Sequence, residues 1–175
     1  MATKLTDGDA PEPSRIDTVY ETSRGKLVND RIENFVAAHG AALQGKVDLI
    51  LTSPPFPLLT KKKYGNETGE EYLNWLEALA PKLASLLSDD GSIVVEIGNA
   101  WERGDPIMST LPLEALLAFK RAAGLHLCQH VICHNPARLP SPAAWVTVNR
   151  WRLKDSYTHV WWLSELARPE AGNRK

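Results

Sequence analysis

Thr52-Ser53-Pro54-Pro55-Phe56 holds the residue types in this 175-residue sequence that could do chemistry, directly after the apolar run Val47 to Leu51. Each proline fixes its own φ and pushes the residue before it into an extended conformation. The backbone carbonyls of Ser53 and Pro54 are thereby held in fixed directions, and neither proline has an N–H to compete. The Ser53 hydroxyl oxygen sits beside them, so the stretch offers a preorganised set of acceptors for an amino group with two hydrogens. Phe56 adds an aromatic face on which a planar ring can stack. The exocyclic amine of a nucleobase has its lone pair delocalised into the ring. Acceptors that take both of its N–H hydrogens turn that lone pair toward an electrophile, which needs orientation more than a strong base. The base must first leave the duplex, and stacking offsets part of the unstacking cost. Elsewhere in a chain the same tripeptide is a cap and a rigid turn. Its place at the end of an apolar strand gives it the second meaning.

The elements that must hold this stretch alternate between strand and helix. Two short strands flank Ser23-Arg24-Gly25, and a helix is expected from about Arg31, with Asn29 or Asp30 as cap and Gly40 at its end. "KVDLILT" is a short β-branched apolar run, the pattern of a strand covered on both faces. Thr68 and Glu71 have capping-box spacing ahead of the amphipathic "EYLNWLEALAPKLASLL", which Pro81 should kink or split. "SDDGSIVVEIG" reads as a turn into a second buried strand. A third helix follows, with Pro112 in its first turn and Gly124 at its end. "LHLCQHVICHN" and "SYTHVWWLS" are two further strands. Such alternation indicates a parallel or mostly parallel α/β sheet. Ligands of open α/β sheets bind at the carboxyl ends of the strands. Three loops fall there: "TSPPF", "GNAWERGDP" and "HNPARLPSP".

Composition bounds the class. Hydrophobic content of 43% and a net charge of −1 suit a soluble globular domain and give no global electrostatic case for a polyanion partner. A nucleic-acid surface would have to come from local clusters, Lys61-Lys62-Lys63 or Arg150, Arg152 and Lys154. No apolar stretch has membrane-span length and the N-terminus lacks a signal-peptide core, so with two cysteines the expectation is a reduced, cytoplasmic protein with no membrane partner. Four of the six tryptophans (Trp145, Trp151, Trp161, Trp162) crowd the last third, where packing competes with base stacking. His126, Cys128 and His130 are placed on one strand face. Structural zinc sites prefer paired ligands on turns, so these side chains are assigned to strand packing and no metal is expected. Glu96 and Asp105 could act as acid or base, but amine chemistry does not require them.

In order along the chain, "VDLILTSPPF", "KKKYGN", "EYLNWL", "DDGSIVVEIGNAW", "NPARLPSPAAWV" and "RLKDSYTHVWW" resemble bacterial restriction–modification DNA methyltransferases acting on the N4 amine of cytosine. These form part of the N4/N6 amino-methyltransferase family, in its permuted motif order. The likeness runs from about Tyr20 to Ser164. It implies a partial Rossmann-like α/β sheet of about four core strands with flanking helices, the last strand antiparallel. The catalytic domain would span 16–165, between a disordered tail at 1–15 and a polar tail at 166–175. The resemblance makes Ser53 and Pro54 the amine-gripping residues, Pro55 the stiffener and Phe56 the ring under a flipped cytosine. It implies S-adenosyl-L-methionine as methyl donor and double-stranded DNA as partner. Lys61, Lys62, Lys63, Asn135, Pro136, Arg150 and Arg152 would lie at the DNA, with Asn135-Pro136 lining the target-base pocket. Serine in the first motif position favours cytosine N4, and an adenine-N6 enzyme is the alternative.

The family holds its methyl donor on a Gly-rich "FxGxG"-type loop. None of the 11 glycines here forms a Gly-x-Gly. "GKLVND" resembles a segment near the cofactor, which assigns Asp30 to it, although Asn29 stands where relatives carry glycine. The expectation is a split or truncated enzyme, with a second polypeptide carrying the Gly-rich loop. The rival reading is a non-catalytic remnant that binds DNA or protein.

Overall fold

The computed structural model of the chain describes residues 17–56 and 67–169. They fall into two compact units, Met1–Leu43 and Gln44–Lys175. In the first, β1 (Asp17–Thr22) and β2 (Gly25–Asn29) form an antiparallel hairpin, followed by α1 (Ile32–Leu43). Gly40 lies inside α1 rather than at its end. The helix runs on to Leu43, and Gly45 supplies the left-handed residue (φ +68) just beyond. Ala41 and Ala42 favour continued helix, which outweighs the single-glycine cost of about 1 kcal/mol.

The second unit contains β3 (Val47–Thr52), α2 (Gly69–Ala84), β4 (Leu87–Gly98), α3 (Leu111–Ala123), β5 (His126–His134), a short π-helical turn (Ala144–Val148) and β6 (Tyr157–Ser164). The sheet order is β3-β4-β6-β5. β3 and β4 are parallel, and β6 is inserted antiparallel between β4 and β5. This is the expected four-stranded sheet with its last strand antiparallel.

Alternation along β4 and β6 builds the core. Ile93, Val95, Ile97, Trp161 and Leu163 are at most 2% exposed. α2 packs on β4 and on α3, burying Tyr72, Leu76, Leu79 and Leu83 from α2 and Ala115, Leu116 and Phe119 from α3. α3 has the expected caps, with Pro112 in the first turn and Gly124 left-handed at the end. Thr68 stands at the N-cap of α2 but its side chain makes no cap hydrogen bond. α2 also continues through Pro81 without a break. Burial of Leu79, Ala80, Leu83 and Ala84 on both sides of the proline outweighs its lost hydrogen bond.

Three further sequence expectations need correction. β4 starts at Leu87, not after Gly91. Its pairing with β3 slips between Val47↔Leu87 and Leu49↔Ser92, so "SDDG" is a bulge inside the strand. β3 is not covered on both faces, since Leu49 and Leu51 are 57% and 72% exposed. β3 is an edge strand, and no described element of this unit covers the sheet face carrying Leu49 and Leu51. Finally, His126 and His130 do not share a face. A register shift between Leu127 and Gln129 places His126 opposite Ser164 and His130 opposite Trp161, on alternate sides of β6. One bulged residue at Cys128 reverses the alternation.

Candidate active site

β3, β4 and β5 end at Thr52, Gly98 and His134, and antiparallel β6 begins beside them at Tyr157. The three loops marked by the sequence therefore leave one edge of the sheet. Ser53 is exposed and its hydroxyl has no hydrogen-bond partner among the described residues. Pro54 is half-buried, Pro55 exposed and Phe56 half-buried. The Phe56 ring lies against the end of β4. A β-carbon built on Gly98 would fall 2.5 Å from its Cε2 and 2.6 Å from its Cδ2. The motif thus leaves a hydroxyl open and sets one ring edge on bare backbone.

The next residue, Asn99, ties this strand end to β6 and the loop before it. Its Nδ2 donates to Asp155 Oδ1 at 2.8 Å, so its Oδ1 is free to accept from His159 Nε2, also at 2.8 Å. With Nε2 donating, His159 Nδ1 is the acceptor for His130 Nε2 at 2.8 Å. Asp155 also faces Arg138 at 3.7 Å. His159 is 5% exposed, and burial together with the neighbouring His130 lowers its pKa, against an opposing pull from Asp155. A continuous path therefore runs from Phe56 through Gly98 and Asn99 to Asp155 and Arg138. Sequence reasoning marked the loops but missed Gly98, Asn99, Asp155 and His159 as individual residues. The only signal was the pair "GN" at the end of the second buried strand.

Arg152 fastens the long loop before β6. Its guanidinium lies 3.7 Å from the Trp101 ring centroid and 5.8 Å from that of Trp145, and it donates to the carbonyls of Ser141 and Leu153. Lys154 Nζ donates to the Pro136 carbonyl at 2.8 Å. Asn135 Oδ1 accepts from the Ala137 N–H at 3.1 Å and so closes a turn. Of the three basic residues in this cluster, Arg150 alone has no side-chain partner among the described residues. It also holds a left-handed backbone, with φ +56. A non-glycine residue in that region is strained, and such strain concentrates at functional sites. Arg150 borders a cavity of about 590 Å³ with Trp151, Leu153 and Lys154. A smaller one of about 280 Å³ is lined by Asn99, Trp101, Met108, Arg152, Asp155 and Tyr157, among others. The long loop from Asn135 to Lys154 carries Arg138, Arg150, Arg152 and Lys154 and no acidic residue. Local positive charge thus gathers there in a chain of net charge −1.

The remaining expected residues are engaged in local contacts or fall outside the described residues. Lys61, Lys62 and Lys63 fall outside the described residues. Asp30 Oδ1 accepts from the Arg31 N–H at 2.7 Å and from Asn34 Nδ2 at 2.8 Å, which occupies it at the start of α1. Glu96 accepts from the Thr158 hydroxyl at 2.9 Å. Asp105 closes a turn with Glu102. Trp161 is core, Trp162 donates its indole N–H to Ser92 Oγ at 2.9 Å, and only Trp151, at 63% exposure, keeps an open ring.

Residues 47–171 match the DNA methylase family model for N6 and N4 methyltransferases. Type II methyltransferase M.PvuII of Proteus hauseri is 34% identical over 153 residues, covering 87% of this chain and 44% of that protein. The solved structure of PvuII DNA methyltransferase, cytosine-N4-specific, superposes with a TM-score of 0.64 at 36% identity, over 73% of this chain and 45% of that one. A Thermus thermophilus protein described as a DNA modification methylase was solved with S-adenosyl-L-methionine. It has a TM-score of 0.52 at 19% identity, over 80% of this chain and 55% of its own, a likeness of fold. The chain thus spans less than half the length of the curated relative it matches.

Proposed function

The chain belongs to the N6/N4 DNA methylase family, and from that premise we propose that it carries the amine-gripping part of a cytosine-N4 DNA methyltransferase. The observation that carries this reading is the Ser53-Pro54-Pro55-Phe56 turn. It stands at the carboxyl end of a parallel strand, its hydroxyl without a partner among the described residues and its ring set on the neighbouring strand end. The 36% identity to a cytosine-N4-specific enzyme supports the choice of base.

In this reading the Ser53 hydroxyl and the carbonyl of Pro54 accept the two N–H hydrogens of the exocyclic amine of a flipped cytosine. Pro55 stiffens the turn, and the open side of the Phe56 ring stacks on the base. The geometry turns the nitrogen lone pair outward, and the proton leaves after attack, so no strong base is needed in place beforehand. Asn135, Pro136, Arg150 and Arg152 face the DNA. Arg150, on its strained backbone, contacts phosphate. Arg152 acts indirectly, by holding the loop against Trp101. Lys61 to Lys63 are included as phosphate contacts on their position in the sequence beside the motif. The enzyme works in the cytoplasm, with its DNA.

S-adenosyl-L-methionine, when bound, supplies the methyl group. The described residues do not fit it well: the chain has no Gly-x-Gly, and the Asp30 carboxylate is engaged at α1. The half-open sheet face bearing Leu49 and Leu51 supports cover by further polypeptide, in the same chain or a second one, and we assign the donor-binding loop to it.

The test uses the protein purified from its own cells with whatever polypeptide accompanies it, labelled methyl donor and unmethylated genomic DNA, with the product digested to nucleosides. N4-methylcytosine is expected, falling at least about 10²-fold in Ser53→Ala with folding unchanged. N6-methyladenine would replace the cytosine reading with the adenine one. DNA binding without methylation would leave the remnant reading.

A further inference from the structure

We infer that Gly98 is a positioning residue for Phe56: the missing side chain at the end of β4 makes the seat for the ring. The inference rests on the stacking role proposed above for Phe56.

Glycine is not required here by the backbone. Among the described residues the glycines with left-handed φ are Gly45, Gly69, Gly104 and Gly124, and Gly98 is not one of them. What excludes a side chain is the ring. A β-carbon at Gly98 would meet Phe56 Cε2 at 2.5 Å, Cδ2 at 2.6 Å and Cζ at 3.3 Å. Ordinary contact begins at 3.4 Å, so one methyl group requires a shift of about 0.9 Å (3.4 − 2.5).

The strand end cannot supply that shift. Gly98 pairs with Thr158 across β6. The residue after it, Asn99, is 7% exposed and locked between His159 and Asp155 by two hydrogen bonds of 2.8 Å. Phe56 has stiff backbone behind it, because Pro54 and Pro55 fix their own φ. The ring must therefore rotate away about its side-chain torsions, while Ser53 and Pro54 stay where they are. Gly98→Ala should separate the stacking surface from the amine grip while leaving every residue of both in place in the sequence. A misplacement of about 1 Å can cost on the order of 10²-fold in rate.

The test compares Gly98→Ala, Phe56→Ala and the double variant in the native enzyme. Readouts are kcat, KM for DNA and for methyl donor, and thermal unfolding. Gly98→Ala should lower kcat by about 10²-fold with KM for the donor unchanged. The double variant should be no slower than Phe56→Ala alone, because without the ring the methyl group meets nothing. A merely structural role for Gly98 would make the two losses multiply, and that overturns the inference. So does a Gly98→Ala enzyme of normal kcat when Phe56→Ala is impaired. If Phe56→Ala itself is fully active, the stacking role falls instead. If Gly98→Ala unfolds, recovery of folding in the double variant supports the ring seat, and continued unfolding overturns it.

Discussion

Removing the Asn99 side chain should cost the second unit about 3 kcal/mol, because two buried partners lose their hydrogen bonds together. The amide is 7% exposed and bridges His159 Nε2 and Asp155 Oδ1, each at 2.8 Å. The Asp155 side chain is itself 8% exposed, and Arg138 stands 3.7 Å from it. A neutral hydrogen bond contributes about 1 kcal/mol and one to a charged group about 2 kcal/mol, and water cannot easily replace either in this position. For a chain of this size a loss of about 3 kcal/mol lowers Tm by roughly 6–12 °C. Urea unfolding of Asn99→Ala, followed by tryptophan fluorescence, measures it. The same network sets a pH dependence. Burial and His130 hold the His159 pKa below its ordinary value near 6.5. Below that value the unfolded chain takes up a proton that the folded chain refuses. Stability is therefore full above pH ~6.5 and declines as pH falls from there toward the depressed folded pKa. The groups facing His159 are His130, Asn99, the Tyr157 ring and, through its charge, Asp155. His159→Gln should flatten the decline below pH ~6.5. A loss below about 1 kcal/mol in Asn99→Ala would refute the bridging role, and an unchanged slope in His159→Gln would refute the pH assignment.

Two further outcomes follow from buried or stacked groups. The Tyr72 side chain is fully buried, and its hydroxyl has no hydrogen-bond partner among the described residues. Tyr72→Phe should therefore raise stability by up to about 1 kcal/mol in thermal unfolding, and a clear loss would reveal a partner. Arg152→Ala should cost about 1–2 kcal/mol and speed proteolysis between Arg138 and Tyr157, since it releases Trp101 and the Ser141 carbonyl. Arg152→Lys should rescue little, because an ammonium lacks the planar stacking surface. Full rescue would argue that charge alone holds the loop.

Much of this was legible along the chain because it depends on local periods and fixed dihedrals. The β-branched runs at Val47 and Ile93, Pro112 and Gly124 at the ends of α3, and the turn made by Pro54 and Pro55 all write their conformation into adjacent residues. The expectation of an α/β sheet came from the same signals, and the family resemblance from the ordered series of motifs. Where the reading slipped, a longer-range force prevailed. Packing carried α2 through Pro81, and α1 ran past Gly40. The Cys128 bulge moved His130 from a face shared with His126 to one shared with His159. A period-2 reading cannot anticipate that reversal, since one extra residue inverts everything beyond it.

The sequence by itself determined the local chemistry of the turn: a hydroxyl, two fixed carbonyl directions and a ring, at a strand end where ligands bind. Tertiary structure alone decided what surrounds it. Gly98 and Phe56 are 42 positions apart (98 − 56), and Asn99 and Asp155 are 56 apart. No local rule connects such residues. Phe56 reaches Gly98 because β3 pairs parallel with β4, Thr52 opposite Val95, and Asn99 reaches Asp155 and His159 because β6 inserts antiparallel beside β4, Thr158 opposite Gly98. Pairing between distant strands is set by which faces bury together, and that is a property of the folded chain rather than of any stretch within it.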